Sequence, residues 1–307
     1  MPDRLDAMES HALKQMAGLT APRDRVVGGY VRDLDDLEFS TAAYVTQVFP
    51  RHFHETYSIS VVEQGAGAIW CEGTNYSLAP NGLTLINPGQ VHTGGIRRHG
   101  TPLHYRVLYP SIRLIEQLAI GSRTSPPAFR VPSLVEPDTA RRLSRLHRLL
   151  PDPSRSLERD ELLIDALARA FTASGTPAVL QSERGAEPVR IRRALEFLHA
   201  HATESVSLGA LASALDWTPA HLSRAFRKHV GMPPYAYLLQ LRVAIGRSEL
   251  SSGASIAGAA LSAGFADQSH FTREFRRRTG MTPGAYQTLV THTHGDIKSM
   301  QDRRAAS

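Results

Sequence analysis

The strongest constraint on this chain is that part of it is written twice. The stretch His221-Leu-Ser-Arg-Ala-Phe-Arg-Lys-His-Val-Gly-Met-Pro-Pro-Tyr-Ala-Tyr returns 49 residues later as His270-Phe-Thr-Arg-Glu-Phe-Arg-Arg-Arg-Thr-Gly-Met-Thr-Pro-Gly-Ala-Tyr. His, Arg, Phe, Arg, Gly, Met, Pro and Tyr recur in register. Self-similarity at a fixed offset marks a repeated supersecondary unit. Any fold for the last third must therefore hold two copies of one local structure.

Each copy carries the same start and stop signals. A short helix opens at Ser207 or Ser255, whose hydroxyls suit the N-cap, and bears small apolar residues, Leu211-Ala212 or Ala259-Ala260. A tight turn follows at Asp216-Trp217 or Gly264-Phe265. The second helix is capped by Thr218, with Pro219 at its first position, or by Asp267. It stops near Gly231 or Gly280. Helix, tight turn, helix is the helix-turn-helix outline. Leu222 with Phe226, and Phe271 with Phe275, are four apart and should face a core. Arg224, Arg227 and Lys228 in one copy, and Arg273, Arg276, Arg277 and Arg278 in the other, are expected to fall largely elsewhere. Short residues near the helix starts, Ala220, Ser223, Gln268, Ser269 and Thr272, occupy the end that a recognition helix presents to base edges. Arginine suits guanine, glutamine suits adenine, and basic residues further along suit phosphates. Trp217, Phe265, Tyr237 and Tyr286 are read as core. His221 and His270 lie beside core positions, open either to packing or to DNA. Pro234 to Leu250 should be one helix, a rod of roughly 25 Å between the two units.

Charge follows the repeat. Met1 to Gly185 holds 20 Lys/Arg and 20 Asp/Glu, whereas Ala186 to Val290 holds 12 and 7, so the excess of a chain with net charge +6 is concentrated late. That asymmetry suits a polyanion partner. The single cysteine, Cys71, excludes an internal disulfide and a cysteine-based zinc site within one chain. No stretch approaches the roughly 20 apolar residues of a membrane span. The first residues carry Asp3, Arg4, Asp6, Glu9 and Lys14 and lack the apolar core of a signal peptide. These features fit a soluble protein of the cytoplasm with no membrane partner.

The first half has a different texture. Phe39 to Tyr109 is rich in Val, Ile, Tyr, Phe and Thr and is punctuated by Gly and Pro, so it predicts many short strands in a sandwich or small barrel. Asp138 is expected to cap a helix with Leu143, Leu146, Leu149 and Leu150 on one stripe. A second helix is predicted from about Leu157 to Ala173, with Leu163, Leu167 and Phe171 aligned. Leu5, Met8, Ala12 and Met16 also fall at helical spacing. The segment Phe49-Pro-Arg-His52-Phe-His54-Glu55 puts His52 and His54 on one strand face, and Asn87-Pro-Gly-Gln-Val-His92 can bring His92 to them.

On these motifs residues 189–289 resemble the DNA-binding domain of the AraC/XylS family of transcription regulators. The matching residues are Leu208-x-x-Leu211-Ala212, His221-Leu-Ser-Arg-x-Phe-Arg, Gly231-Met-x-Pro234, Leu241-Arg242, Ser255-Ile256, Gly264-Phe265 through Phe275-Arg276, and Gly280-Met-Thr-Pro283-x-x-Tyr286. The resemblance implies that Ala220, Ser223, Arg224, Gln268, Ser269, His270 and Arg273 face the groove, and that Ala220 reads fewer bases than a larger residue. Residues 39–110 are similar to a cupin barrel and to the ligand-binding domain upstream of many such modules. The resemblance implies an α+β multidomain chain: a cupin-like β-barrel with a helical extension, then an all-α domain of two helix-turn-helix units joined by a long helix. The expected boundaries are a leader 1–25, an effector-binding and dimerisation domain 26–173, a linker 174–187, a DNA-binding domain 188–290 and a tail 291–307.

The implied activity is regulation of transcription, as an activator. The implied partners are double-stranded DNA, a small-molecule effector, RNA polymerase and a second copy of the chain, with no cofactor. His52, His54, Trp70, His92 and Tyr105 are candidates for the effector pocket. The alternative is a metal-dependent cupin enzyme using His52, His54 and His92. Its glutamate is missing, because the fourth residue past His54 is Ser58 and Glu55 would point to the other strand face.

Overall fold

The computed structural model describes residues 24–96, 102–118, 120, 126–152, 156–175 and 186–292. Most of the leader, most of the linker and most of the tail, including Leu5, Met8, Ala12 and Met16, lie outside the described residues. Ten strands come first: β1 Arg25–Val31, β2 Leu37–Tyr44, β3 Val48–His52, β4 Ser58–Gln64, β5 Gly67–Cys71, β6 Thr74–Leu78, β7 Gly82–Ile86, β8 His92–Ile96, β9 Leu103–Tyr109 and β10 Ser133–Val135. They form a six-stranded sheet ordered β1-β2-β9-β4-β7-β10 and a four-stranded sheet ordered β3-β8-β5-β6. Every pairing within both sheets is antiparallel. The sheet begins at Arg25, well before the Phe39 expected from composition.

The period of two explains how the larger sheet serves two purposes. Ile59 and Val61 of β4, Leu83 and Leu85 of β7 and Leu108 of β9 lie in one buried cluster with helices α2 (Pro137–Leu149) and α3 (Ser156–Ala173). Leu143, Leu146, Leu163 and Leu167 supply the helical side, so the leucine stripes pack on the barrel. The alternate residues Ser58, Ser60, Val62, Thr84, Tyr105 and Tyr109 face the other way and line a cavity. Helix α2 is capped by Glu136, whose carboxylate accepts from the Thr139 amide, with Pro137 in the first turn. The expected cap Asp138 is instead a first-turn residue, because Glu136 caps two positions earlier and Pro137 fixes the helical φ just before it. A short helix α1 (Ile112–Gln117), capped by Ser111, was not foreseen; its buried Leu114 and Ile115 join the same cluster.

The rest of the described chain is helical: α4 Ala186–Ala200, α5 Leu208–Ser213, α6 Pro219–Val230, α7 Pro234–Ser251, α8 Ile256–Ser262, α9 Gln268–Thr279 and α10 Pro283–His292. They form two clusters that share α7. One gathers Ile191, Leu198, Leu211, Leu222, Phe226 and Leu241, and the other Val243, Leu250, Ala260, Phe265, Phe271 and Phe275. Among the described residues no helix is long and apolar enough to cross a membrane.

Candidate nucleic-acid interface and ligand cavity

The two repeat units are built alike down to their caps. Ser207 Oγ accepts from the Ala210 amide at 3.0 Å and Ser255 Oγ from the Gly258 amide at 3.0 Å. Thr218 Oγ1 and Asp267 Oδ1 cap α6 and α9, accepting from His221 N at 3.2 Å and His270 N at 2.7 Å. Both helices end at a left-handed glycine, Gly231 (φ 82°) and Gly280 (φ 79°). The turn of the second unit needs its glycine: Gly264 has φ +77°, and a Cβ there would stand 2.4 Å from the Thr203 carbonyl oxygen. Phe226 packs edge-on against Tyr237 at 5.7 Å, and its counterpart Phe275 against Tyr286 at 5.5 Å.

With Leu222, Ala225 and Phe226 buried, α6 turns Ala220, Arg224, Arg227 and Lys228 to solvent and leaves Ser223 half-buried. With Phe271, Phe275 and Arg278 buried, α9 exposes Gln268, Ser269, Arg273, Arg276 and Arg277. His270 is half-buried and edge-on to Phe265 at 5.2 Å, and His221 is exposed and packed on Trp217 at 4.6 Å. Lys228 Nζ lies 3.5 Å from Glu187, whereas Arg224, Arg227, Arg273, Arg276 and Arg277 form no ion pair among the described residues. Each second helix thus carries a cationic face opposite an apolar one. Arg278 corrects the sequence reading, which grouped it with the outward arginines. It lies seven after Phe271 and three after Phe275, on the buried stripe, and is only 7% exposed.

A cavity of about 380 Å³ lies between the two sheets and the helical domain. His52, His54, His92 and Tyr105 line it. The ring centroids stand 4.2 Å (His52–His92), 5.0 Å (His52–His54) and 5.2 Å (His54–His92) apart. β3 ends at His52, directly paired with His92, so His54 reaches the cluster from beyond the strand rather than along it. His52 Nδ1 donates to the Pro50 carbonyl at 2.9 Å and His92 Nδ1 to the Gln90 carbonyl at 3.0 Å, which leaves Nε2 of both as acceptors. Burial pushes His52 down to about 4. Burial and the neighbouring imidazoles hold His54 and His92 well below the usual range. Burial also raises the Tyr105 and Tyr109 phenols. These three imidazoles and two phenols are therefore neutral near pH 7. One ligand atom from each imidazole lies within 4.8 Å of the other two, and the fourth residue past His54 is the buried Ser58. Three neutral imidazoles without a carboxylate suit a borderline metal ion or the hydroxyl and N–H donors of an organic molecule.

Trp70 is not part of the cavity lining. On β5, where exposure alternates residue by residue, it falls on the half-buried side. There it packs with the first unit's cluster, and the Arg51 guanidinium lies 3.9 Å over its ring.

The composition of the cavity's other wall is absent from any reading of the barrel motifs. Gln240, Arg247 and Ser251 of α7, Arg278 of α9 and Tyr286 of α10 line it. Arg247 pairs with Glu38 of β2 and donates to Tyr286 Oη at 3.1 Å, and Tyr30 Oη donates to Glu38 at 3.1 Å and meets the Tyr286 hydroxyl. The first unit is joined to the barrel separately. Arg51 donates to the Gly231 carbonyl, Phe53 stacks on Tyr237 at 4.7 Å, and Gln240 donates to the Phe53 carbonyl at 2.9 Å. Polar residues on α7, Gln240 and Arg247, were a weak signal for this wall, since Arg242 on the same helix instead donates to the Ala202 and Glu204 carbonyls.

Comparison with known proteins bears on both halves. A model of the AraC-like ligand binding domain matches residues 36–167, and a helix-turn-helix domain model matches residues 211–288. The chain is 30% identical over 228 residues to the uncharacterized HTH-type transcriptional regulator YbfI of Bacillus subtilis, covering 73% of this chain and 82% of YbfI. It is 26% identical over 232 residues to the HTH-type transcriptional activator RhaS of Escherichia fergusonii, covering 72% and 81%. The crystal structure of ToxT from Vibrio cholerae O395 shares the fold, with a TM-score of 0.53 at 14% identity over 82% of this chain and 98% of that one. With an AraC-like ligand-binding barrel, two helix-turn-helix units behind it and relatives that are transcriptional regulators along most of its length, the chain belongs to the AraC family of transcription regulators.

Proposed function

We propose that this protein is a sequence-specific transcription activator whose DNA affinity is set by a small molecule held in the cavity between barrel and helical domain. Arg224 and Arg273, with Ala220, Ser223, Gln268, Ser269 and His270, read bases, while Arg227, Lys228, Arg276 and Arg277 hold phosphates. The observation that carries this reading is that both second helices show the same cationic, solvent-facing side over an apolar buried one. α7 supports the spacing: its 18 residues give a rod of about 27 Å, suited to holding two such helices near successive major-groove turns.

The effector pocket comprises His52, His54, His92 and Tyr105, closed by residues of α7, α9 and α10. A ligand touching both walls favours one arrangement of the domains over another, as linkage requires. The working units are residues 26–173 and 188–290, flanked by a leader, a linker and a tail. The protein acts as a homodimer on a repeated site, contacts RNA polymerase, and works in the cytoplasm with the DNA. Exposed Leu157 and Ile164, seven apart on α3, support a helical seam between two copies. Footprinting on the DNA upstream of its own gene tests the reading. Two protected major-groove patches per protomer, about one helical turn apart and weakened by Arg273→Ala, are expected. Absence of protection on this and other genomic fragments at low salt, with or without cell extract, would remove the DNA-binding role.

A further inference from the structure

Within the cavity one guanidinium is only partly matched. Arg247 is answered by Glu38 and Tyr286, and the acidic groups Asp35 and Asp36 at the rim by Arg113 and Arg32. Glu55, also in the lining, is exposed. Arg278 differs. It is 7% exposed and lines the cavity, yet only Nη1 has a partner among the described residues, the Glu274 carboxylate one turn earlier on the same helix. Among the described residues its buried Nε has no partner, and no hydrogen bond reaches Nη2. The Nε–Nη2 edge is the side of a guanidinium that takes a carboxylate with two parallel N–H···O bonds. A buried donor with no acceptor is costly, and a ligand acceptor on Nε removes that cost. The rest of the lining wants the opposite chemistry. His52 and His92 offer Nε2 lone pairs, and Gln240 has a buried Oε1 with no donor.

We propose that the cavity takes a small organic carboxylate whose carboxylate group sits on the Nε–Nη2 edge of Arg278 and whose body carries a hydroxyl or N–H donor toward the His52–His92 cluster. This rests on the effector reading above and names the ligand class of the same site. It also names the connection to DNA. Arg278 follows Arg276 and Arg277 directly on α9, so a carboxylate bound there ties the second recognition helix to the barrel. Hydroxy, amino and hydroxyaryl acids have both features, while simple alcohols, sugars and amides lack the first.

The test uses the full chain and a panel of acids, each beside its primary amide: 4-hydroxybenzoate, 3-phenyllactate, mandelate and tryptophan. Calorimetric titration of the ligand-free protein measures binding, and DNA protection is followed in parallel. At least one acid is expected to bind at least tenfold more tightly than its amide, the size of a lost charge-assisted bond. In Arg278→Met that ratio falls to about one, a change that loosened packing alone does not produce. If Arg278→Met does not fold, Arg278→Lys carries the test: it keeps the charge, loses the two-pronged edge and lowers the ratio. Amides binding as well as acids, or an acid preference that survives the substitution, overturns the proposal. No acid binding while DNA protection persists also overturns it and leaves the regulator reading standing. Loss of DNA protection throughout strikes that reading instead.

Discussion

Three consecutive arginines on α9 offer a sharp test, because the fold separates them: Arg276 and Arg277 are exposed and Arg278 is buried. Assigning Arg227, Lys228, Arg276 and Arg277 to phosphates gives four contacts per protomer. Each releases about 0.9 counterion on duplex DNA, so the slope of log affinity against log salt is about −3.6 per protomer. From 50 to 200 mM salt that is a loss of about 150-fold. Arg276→Ala and Arg277→Ala should each flatten the slope by about 0.9 and weaken all sequences alike. Arg273→Ala should cost about 1–3 kcal/mol on the specific site, with relaxed base preference. Arg278→Met should leave the slope where it was, whatever it does to affinity. Fluorescence anisotropy with specific and scrambled duplexes at four salt concentrations reads all of these. A flat wild-type slope, or one that falls as much with Arg278→Met as with Arg276→Ala, refutes the assignment of faces.

Other consequences are open to measurement. Phe226→Ala and Phe275→Ala each empty a fully buried site and should cost about 3–5 kcal/mol in urea unfolding; a loss under about 1 kcal/mol at either would contradict equivalent cores. His147 is held down to about 3 by burial and by Arg106, and His52 to about 4. The unfolded chain takes up protons below about 6.5 while these buried rings do not, so stability falls with pH between about 6.5 and 4, with each ring adding about 1.4 kcal/mol per pH unit. His147→Gln should make that acid limb shallower by one such increment, and parallel curves would exclude the ring. Dialysis against EDTA is expected to leave the melting temperature unchanged; a drop of several degrees would assign His52, His54 and His92 to a metal. Leu157→Glu with Ile164→Glu should turn a dimer into a monomer by sedimentation, and an unchanged mass would place the seam elsewhere.

The helical third was legible because its determinants are local. Ser207, Thr218, Ser255 and Asp267 cap helices within three residues of themselves, and Leu222, Phe226, Phe271 and Phe275 follow the helical period. The same period would have placed Arg278 inward, had its charge not suggested solvent. The barrel was legible as a class but not in register. Whether Trp70 faces the cavity depends on the pairing of β5 with β6 and β8, which no local signal fixes. The second wall of the cavity was beyond reach, because Glu38 and Arg247 meet across more than two hundred residues of chain.

The glycines that end the two recognition helices also abut the barrel. A Cβ on Gly231 would sit 3.5 Å from Trp70 and Val91, and one on Gly280 would stand 2.6 Å from the Tyr44 hydroxyl. Tyr237 and Tyr286, six residues further in each copy, meet Phe53 and Tyr30. The barrel therefore grips the duplicated domain at the same anatomical point twice, as a caliper grips two edges. A change in the barrel's width would therefore reach the second helix of both copies at once.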